Sequence, residues 1–167
     1  MNKSLIVLAL VTGVLCGIWA AAAPVFNLSV WAGFAGCTTY FACGRQGWAG
    51  LRMTLLTNVI GVFGGYIIAN GSDAVGQIMP AAVATGIVVA VIVVFMVFCA
   101  AVNPVSFVPG IFIGCFSFFA IDGNWQLLLP SIIAGAFLGA ACERGGALLG
   151  QKYEGDGSRQ QPDAKRG

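Results

Sequence analysis

Read as six membrane-spanning helices, this chain puts every lysine and arginine on one side of the bilayer. A helix needs about 20 mainly apolar residues to cross the hydrocarbon core. Six windows meet or approach that length: 4–23, 27–44, 50–70, 79–101, 105–122 and 125–142. None has a charge at its centre; Arg52 stands near the start of the third and Asp122 closes the fifth. With the N-terminus inside, Lys3, Arg45, Arg52, Arg144, Lys152, Arg159, Lys165 and Arg166 are all cytoplasmic, and the outer loops hold only Asp73 and Asp122. Basic residues beside helix ends set orientation. The pattern therefore predicts an all-α membrane protein with six transmembrane helices and both termini in the cytoplasm. A soluble fold is excluded by composition: 59% of residues are hydrophobic and 8% charged, with mean hydropathy +0.92, where a soluble domain is about one-quarter charged.

The links between windows carry turn formers: Pro24, Gly44, Gly47, Asn70-Gly71-Ser72-Asp73, Asn103-Pro104 and Asp122-Gly123-Asn124. These residues interrupt helices for steric reasons. Trp19, Trp31 and Trp125 are expected at the outer interface and Trp48 at the inner one, where an amphipathic indole anchors a helix. Lys3, an apolar run and Ala21-Ala22-Ala23 look like a cleavable leader. Pro24 would then follow the cut, and five helices would remain with the basic tail outside, so the segment is expected to stay as the first helix. Residues 1–149 form the predicted transmembrane domain. The polar run 150–167 cannot bury a core and is expected to be a disordered cytoplasmic tail.

Two stretches, about 1–71 and 80–146, resemble each other. Val11-Thr12-Gly13 matches Ala84-Thr85-Gly86 at an offset of 73. Ser29 to Gly33, with Gly36-Cys37 and Tyr40-Phe41-Ala42, matches Ser106 to Gly110, with Gly114-Cys115 and Phe118-Phe119-Ala120, at 77 and then 78. Leu55 to Ile60 matches Leu128 to Ile133, again at 73. Each match alone is weak, because apolar Gly-rich helices share composition. Three in order at nearly constant spacing predict two repeats. Three helices per unit would make the second cross the membrane in the opposite sense, a plan recurrent in transporters with a site near the midplane. Duplication can also yield no more than a stable bundle.

Polar residues inside apolar windows mark the candidate site. Thr54 and Asn58 are four apart and share a helix face. An asparagine amide must face protein or water rather than lipid. Ser131 is its expected counterpart, beside Pro130, whose missing N–H frees a carbonyl one turn back. Thr38 and Tyr40 on the second helix and Ser117 on the fifth complete the expected path for a small polar or anionic solute; Thr39 lies in the same group. Ordinary interhelical hydrogen bonds would use the same residues. Ser106, Pro109 and Gly110 form an expected helix start, with Ser106 as N-cap and Pro109 in the first turn. Its free N–H groups would suit an anion or a carbonyl if the start were recessed.

There are six scattered cysteines, no Cys-x-x-Cys and no histidine, so no redox pair and no metal site are expected, and the thiols read as packing. No phosphate loop, intramembrane ionisable relay or nucleophile–base pair is present, so the chain is read as neither an enzyme nor a pump. No cofactor and no nucleic-acid partner are expected.

Trp31-Ala32-Gly33-Phe34, Gly36-Cys37-Thr38, Tyr40-Phe41-Ala42, Ser106 to Gly110 with Phe112 and Gly114, Gly123-Asn124-Trp125 and Glu143-Arg144-Gly145-Gly146 are familiar together. Over about residues 5–146 the chain resembles the YcdZ/YahC-like family of small bacterial inner-membrane proteins. The resemblance implies the bacterial cytoplasmic membrane and transfers no site residue, because that family carries no assigned function. The expected function is a small-solute channel or transporter with its path between the two units, acting as a homo-oligomer in the lipid bilayer. The alternative is a non-transporting scaffold or accessory subunit, held by Gly-rich faces and docking through its tail.

Overall fold

Apolar sequence without water to satisfy its backbone must close its hydrogen bonds within each segment, and among the described residues this chain does so through helices joined by short links. The computed structural model describes residues 3–159, with side chains described for 4–151. Six α-helices follow in order: α1 Lys3–Ala22, α2 Val30–Ala42, α3 Gly47–Val75, α4 Ala81–Phe98, α5 Val108–Ala120 and α6 Trp125–Arg159. Short 3-10 turns, Ala23–Phe26 and Cys99–Ala101, extend α1 and α4. With those extensions, four of the helices are long and apolar enough to cross a membrane.

The other two are shorter than the sequence windows suggest. The expected spans 27–44 and 105–122 are α-helical over 13 residues each, about 20 Å of helix against a hydrocarbon core near 30 Å. The reason is local. Asn27 closes the first 3-10 turn in the left-handed region, at φ 54°, so α2 starts afresh with Ser29 as its N-cap. Residues 102–107 carry Pro104 and an irregular backbone, so α5 starts only at Val108.

The chain nevertheless traverses the bundle six times. Ser4 and Leu8 of α1 share one cavity with Gly44, Arg45 and Gln46 after α2, and with Glu143, Gly146 and Ala147 of α6. Arg45 and Arg52 share another with Asn103 and Pro104, which precede α5. The start of α1, the end of α2, the start of α3, the end of α4 and the start of α5 therefore meet at one basic end.

Helices α3 and α6 are central. The short helices pack on them, α2 on α6 and α5 on α3, while α1 packs on α6 and α4 on α3 at the periphery. Glycine makes the two short-helix contacts. A methyl group at Gly36 would overlap the Ile132 carbonyl, and one at Gly135 the Gly33 carbonyl. Across the other pair, Gly61 lies against the Ile111 carbonyl and Gly114 against the Asn58 carbonyl. Backbones this close gain dispersion contact, which drives helix association where lipid is as apolar as the side chains. Ala32, Val62, Phe118, Leu128 and Ile132 from the four inner helices form one of the buried apolar clusters.

Trp31, Trp48 and Trp125 are exposed. Trp19 has a different role: it covers Gly33, and its Nε1–H donates to the Val30 carbonyl at 3.1 Å, clamping α1 to the start of α2. Helix α6 continues to Arg159, into the segment whose composition predicts a disordered tail; residues 160–167 of that tail lie outside the described residues.

Candidate functional site

The polar side chains of the inner helices collect in the bundle interior. Thr39, Thr54, Thr57, Asn58, Ser117 and Ser131 are all buried. The helical period aims Thr54, Thr57 and Asn58 inward together, because residues three and four apart share a face.

Hydrogen-bond accounting separates the members. Thr57 donates to the Met53 carbonyl at 2.8 Å, Ser117 to Ile113 at 2.7 Å and Ser131 to Leu127 at 2.7 Å. The Ser131 hydroxyl also accepts the Ser29 N–H at 2.8 Å, tying the cap of α2 to α6. Thr39 Oγ1 lies 3.0 Å from both the Ala35 carbonyl and Asn58 Oδ1. A hydroxyl has one hydrogen, so it can donate to only one of them. Asn58 Nδ2 and Thr54 Oγ1 have no partner, with Asn58 at 1% and Thr54 at 0% exposure. An unpartnered buried polar group costs about 1–3 kcal/mol. Two on one face, four residues apart, are a cost concentrated at one place. Ser72 Oγ, near the end of α3, is likewise unpartnered.

The start of α5 borders this cluster. A methyl at Gly110 would meet Thr57 Oγ1, Phe107 and Thr39. Pro109 occupies the first turn as expected, but the cap differs: the N-cap is Phe107, without a side-chain bond. The Ser106 hydroxyl donates instead to Asn103 Oδ1 at 3.2 Å. Asn103 Oδ1 also accepts from Arg45 at 3.4 Å. Beneath the α5 start, Arg45, Trp48, Arg52, Met53 and Asn103 line a cavity of about 310 Å³ at the basic end.

Two expected path residues lie elsewhere. Thr38 is exposed, and its neighbour Thr39 takes the inward position. Tyr40 is buried but belongs to a second cluster, where its hydroxyl donates to Glu143. The Gly47 N–H donates to the same carboxylate oxygen at 3.0 Å. Tyr40 and Glu143 border a cavity of about 440 Å³ that also includes Arg45. Glu143 entered the sequence reading only as part of the terminal Glu-Arg-Gly-Gly motif. Its role needed the α2–α6 contact, across 103 residues of sequence, and no local pattern announces such a contact. A third arrangement was hidden in the same way: Cys16, Cys37 and Cys142, from α1, α2 and α6, bring their Sγ atoms within 4.8 Å of one another.

These features define an all-helical, multi-pass membrane protein with a small polar core inside a glycine-packed bundle. The chain belongs to the DUF1097 family, described as a protein of unknown function, which matches residues 9–147. It is 38% identical over 158 residues to the inner membrane protein YcdZ of Escherichia coli K12, covering 94% of each chain. It is also 38% identical over 151 residues to YcdZ of Salmonella typhimurium LT2, covering 90% of this chain and 92% of that one. No solved structure matches it. The resemblance read from the motifs of the second and fifth helices is thus shown, and the protein is a multi-pass protein of the bacterial inner membrane.

Proposed function

We propose that this protein is a carrier for a small polar or anionic solute, which enters at the basic end and binds at the polar core. The observation that carries the proposal is the unpartnered Asn58 amide with the unpartnered Thr54 hydroxyl one turn away on the same helix face. A solute with hydrogen-bonding groups would supply the missing partners. The approach favours negative charge, since Arg45 and Arg52 line the cavity below. The α5 start above it adds only its dipole, because the Val108 and Gly110 N–H groups already donate to the Ser106 and Phe107 carbonyls and Pro109 has none. The core is closed in this structure, so the reading is an alternating carrier rather than an open pore. It assigns no catalytic step.

Inverted repeats are part of the proposal, and the packing supports them. Exchanging α1 with α4, α2 with α5 and α3 with α6 turns each principal helix contact into another. The glycine contacts give the register: Gly36 and Gly114 are 78 apart, while their facing carbonyls, Ile132 and Asn58, are 74 apart. This differs by one residue from the sequence match in the third helix of each unit. Thr57, rather than Asn58, then corresponds to Ser131, and both donate to the carbonyl four residues back. Asn58 has no polar counterpart, as expected for a site built in one unit only. Cytoplasmic termini belong to the same reading. So does a homo-oligomer, although the polar core lies within one chain and needs no second copy.

The test is solute flux into liposomes containing the purified protein, with a panel of small neutral and anionic solutes beside empty vesicles. Selective flux that Asn58→Ala reduces supports the carrier. Absence of flux for every solute under imposed proton and sodium gradients, with the protein folded, would favour the scaffold reading instead.

A further inference from the structure

Three cysteines far apart in sequence meet between α1, α2 and α6. Cys37 and Cys142 are buried and Cys16 is half-buried. We propose that Cys16, Cys37 and Cys142, whose sulfurs lie within 4.8 Å of one another, form a binding site for a soft monovalent metal ion of the copper(I) class.

Donor type and number select the ion. Thiol sulfur is a soft ligand that suits copper(I) and zinc and disfavours magnesium and calcium, which take oxygen. A structural zinc site needs four ligands. Histidine is absent from the chain, and no fourth Cys, Asp or Glu joins the group among the described residues. Three sulfurs match a three-coordinate ion. With metal–sulfur bonds near 2.3 Å, trigonal geometry sets the sulfurs about 4.0 Å apart. The sulfurs would close by less than about 1 Å from the separation seen. Each sulfur bound as thiolate releases one proton. One thiolate with copper(I) is neutral, and each further thiolate adds a negative charge that burial opposes. The balanced site is therefore one copper(I) ion on one thiolate and two thiols, with one proton released, or on two thiolates and one thiol, with two released.

Space filling alone does not require three sulfurs here. On the two-unit reading, the corresponding positions in the second unit are Val89, Cys115 and Ile68, which sit together in an ordinary apolar cluster. The metal proposal stands without that comparison, because the convergence of the three sulfurs is independent of any repeat.

The experiment titrates the full-length, reduced protein in detergent with copper(I), anaerobically and against a competing copper(I) chelator. One ion per chain is expected. Cys37→Ser and Cys16→Ser should each weaken it by at least the roughly 10–100-fold that loss of even an outer-shell partner costs. Cys99→Ser and Cys115→Ser should leave it unchanged. Because a buried serine could unfold the bundle, X-ray absorption on the unsubstituted protein is the second measurement, with sulfur-only coordination expected. Failure to bind one ion, nitrogen or oxygen coordination, undiminished affinity in folded Cys16→Ser and Cys37→Ser proteins, or tighter zinc binding by the same residues would each overturn the proposal.

Discussion

The Asn58 amide brings more hydrogen-bonding atoms into the interior than its neighbours can match. Its one contact, to Thr39, is of the interhelical kind that averages about 0.6 kcal/mol in membranes, while its other amide atom is unmet. Asn58→Ala should therefore leave thermal stability in detergent within about 1 kcal/mol of wild type. Solute flux should fall about tenfold, the factor carried by roughly 1.4 kcal/mol of lost interaction. Thr54→Val removes a hydroxyl that contacts nothing polar, so flux should fall with stability unchanged or raised. A large loss of stability in either variant would mean that the residue is structural. Tyr40→Phe behaves differently, because its hydroxyl serves the Glu143 carboxylate. It should cost about 1.5–3 kcal/mol, the range for a bond to a charged group, read as a lower unfolding temperature. Much of this was legible in the sequence: Thr54 and Asn58 stood out by spacing, and both face inward. Thr38 did not resolve, because consecutive helix residues point about 100° apart. An apolar helix with two adjacent threonines gives no sign of which one faces the core.

Helix α2 lies on α6 and α5 on α3 because glycine lets the backbones touch, and this makes glycine positions unequal. Gly61 and Gly114 each face a carbonyl of the partner helix, while Gly13 and Gly86 have open space around them. Gly61→Ala and Gly114→Ala should each destabilise by about 1–3 kcal/mol, the usual cost of overpacking. Gly13→Ala and Gly86→Ala should be neutral or stabilising by up to about 1 kcal/mol through helix propensity. Unfolding curves of the four variants in detergent would check the division; equal effects would refute it. Gly33/Gly36 and Gly110/Gly114 have the spacing of such faces, but Gly13/Gly17 has it too and meets nothing, so spacing tells neither which pairs are contacts nor which helix each one meets. Helix length was misread for a physical reason. Leu28, Cys43, Val105, Phe107 and Ile121 are apolar and fall inside the two expected spans, yet lie outside the α-helices. Hydropathy reports what solvent a residue prefers and says nothing of its backbone angles. The turns at Asn27 and Pro104 decide those angles.

At the scale of the whole molecule, the basic residues and the traverses give the same account. Arg45 and Arg52 lie at the end where α1 starts and α4 finishes, so the charge bias that orients membrane helices acts on one end of a single bundle. Had α2 failed to return the chain, Arg45 would stand at the opposite end from Ser4, and the bias would disappear. Six traverses bring residue 151 back to the basic end, and on the proposed orientation that end is cytoplasmic. A fluorescent protein fused after Gln151, replacing residues 152–167, should therefore fluoresce, since such a reporter matures in the cytoplasm. A phosphatase inserted in the link at Asp122 should be active only if that link is outside. The same truncated chain separates the two functional readings. A carrier keeps its path within the bundle, so flux should stay within about twofold of wild type, a barrier change of roughly 0.4 kcal/mol. A scaffold that docks through its tail should lose its partner. A truncated protein that inserts correctly but carries nothing would tie transport to the tail, and would put the site outside the polar core.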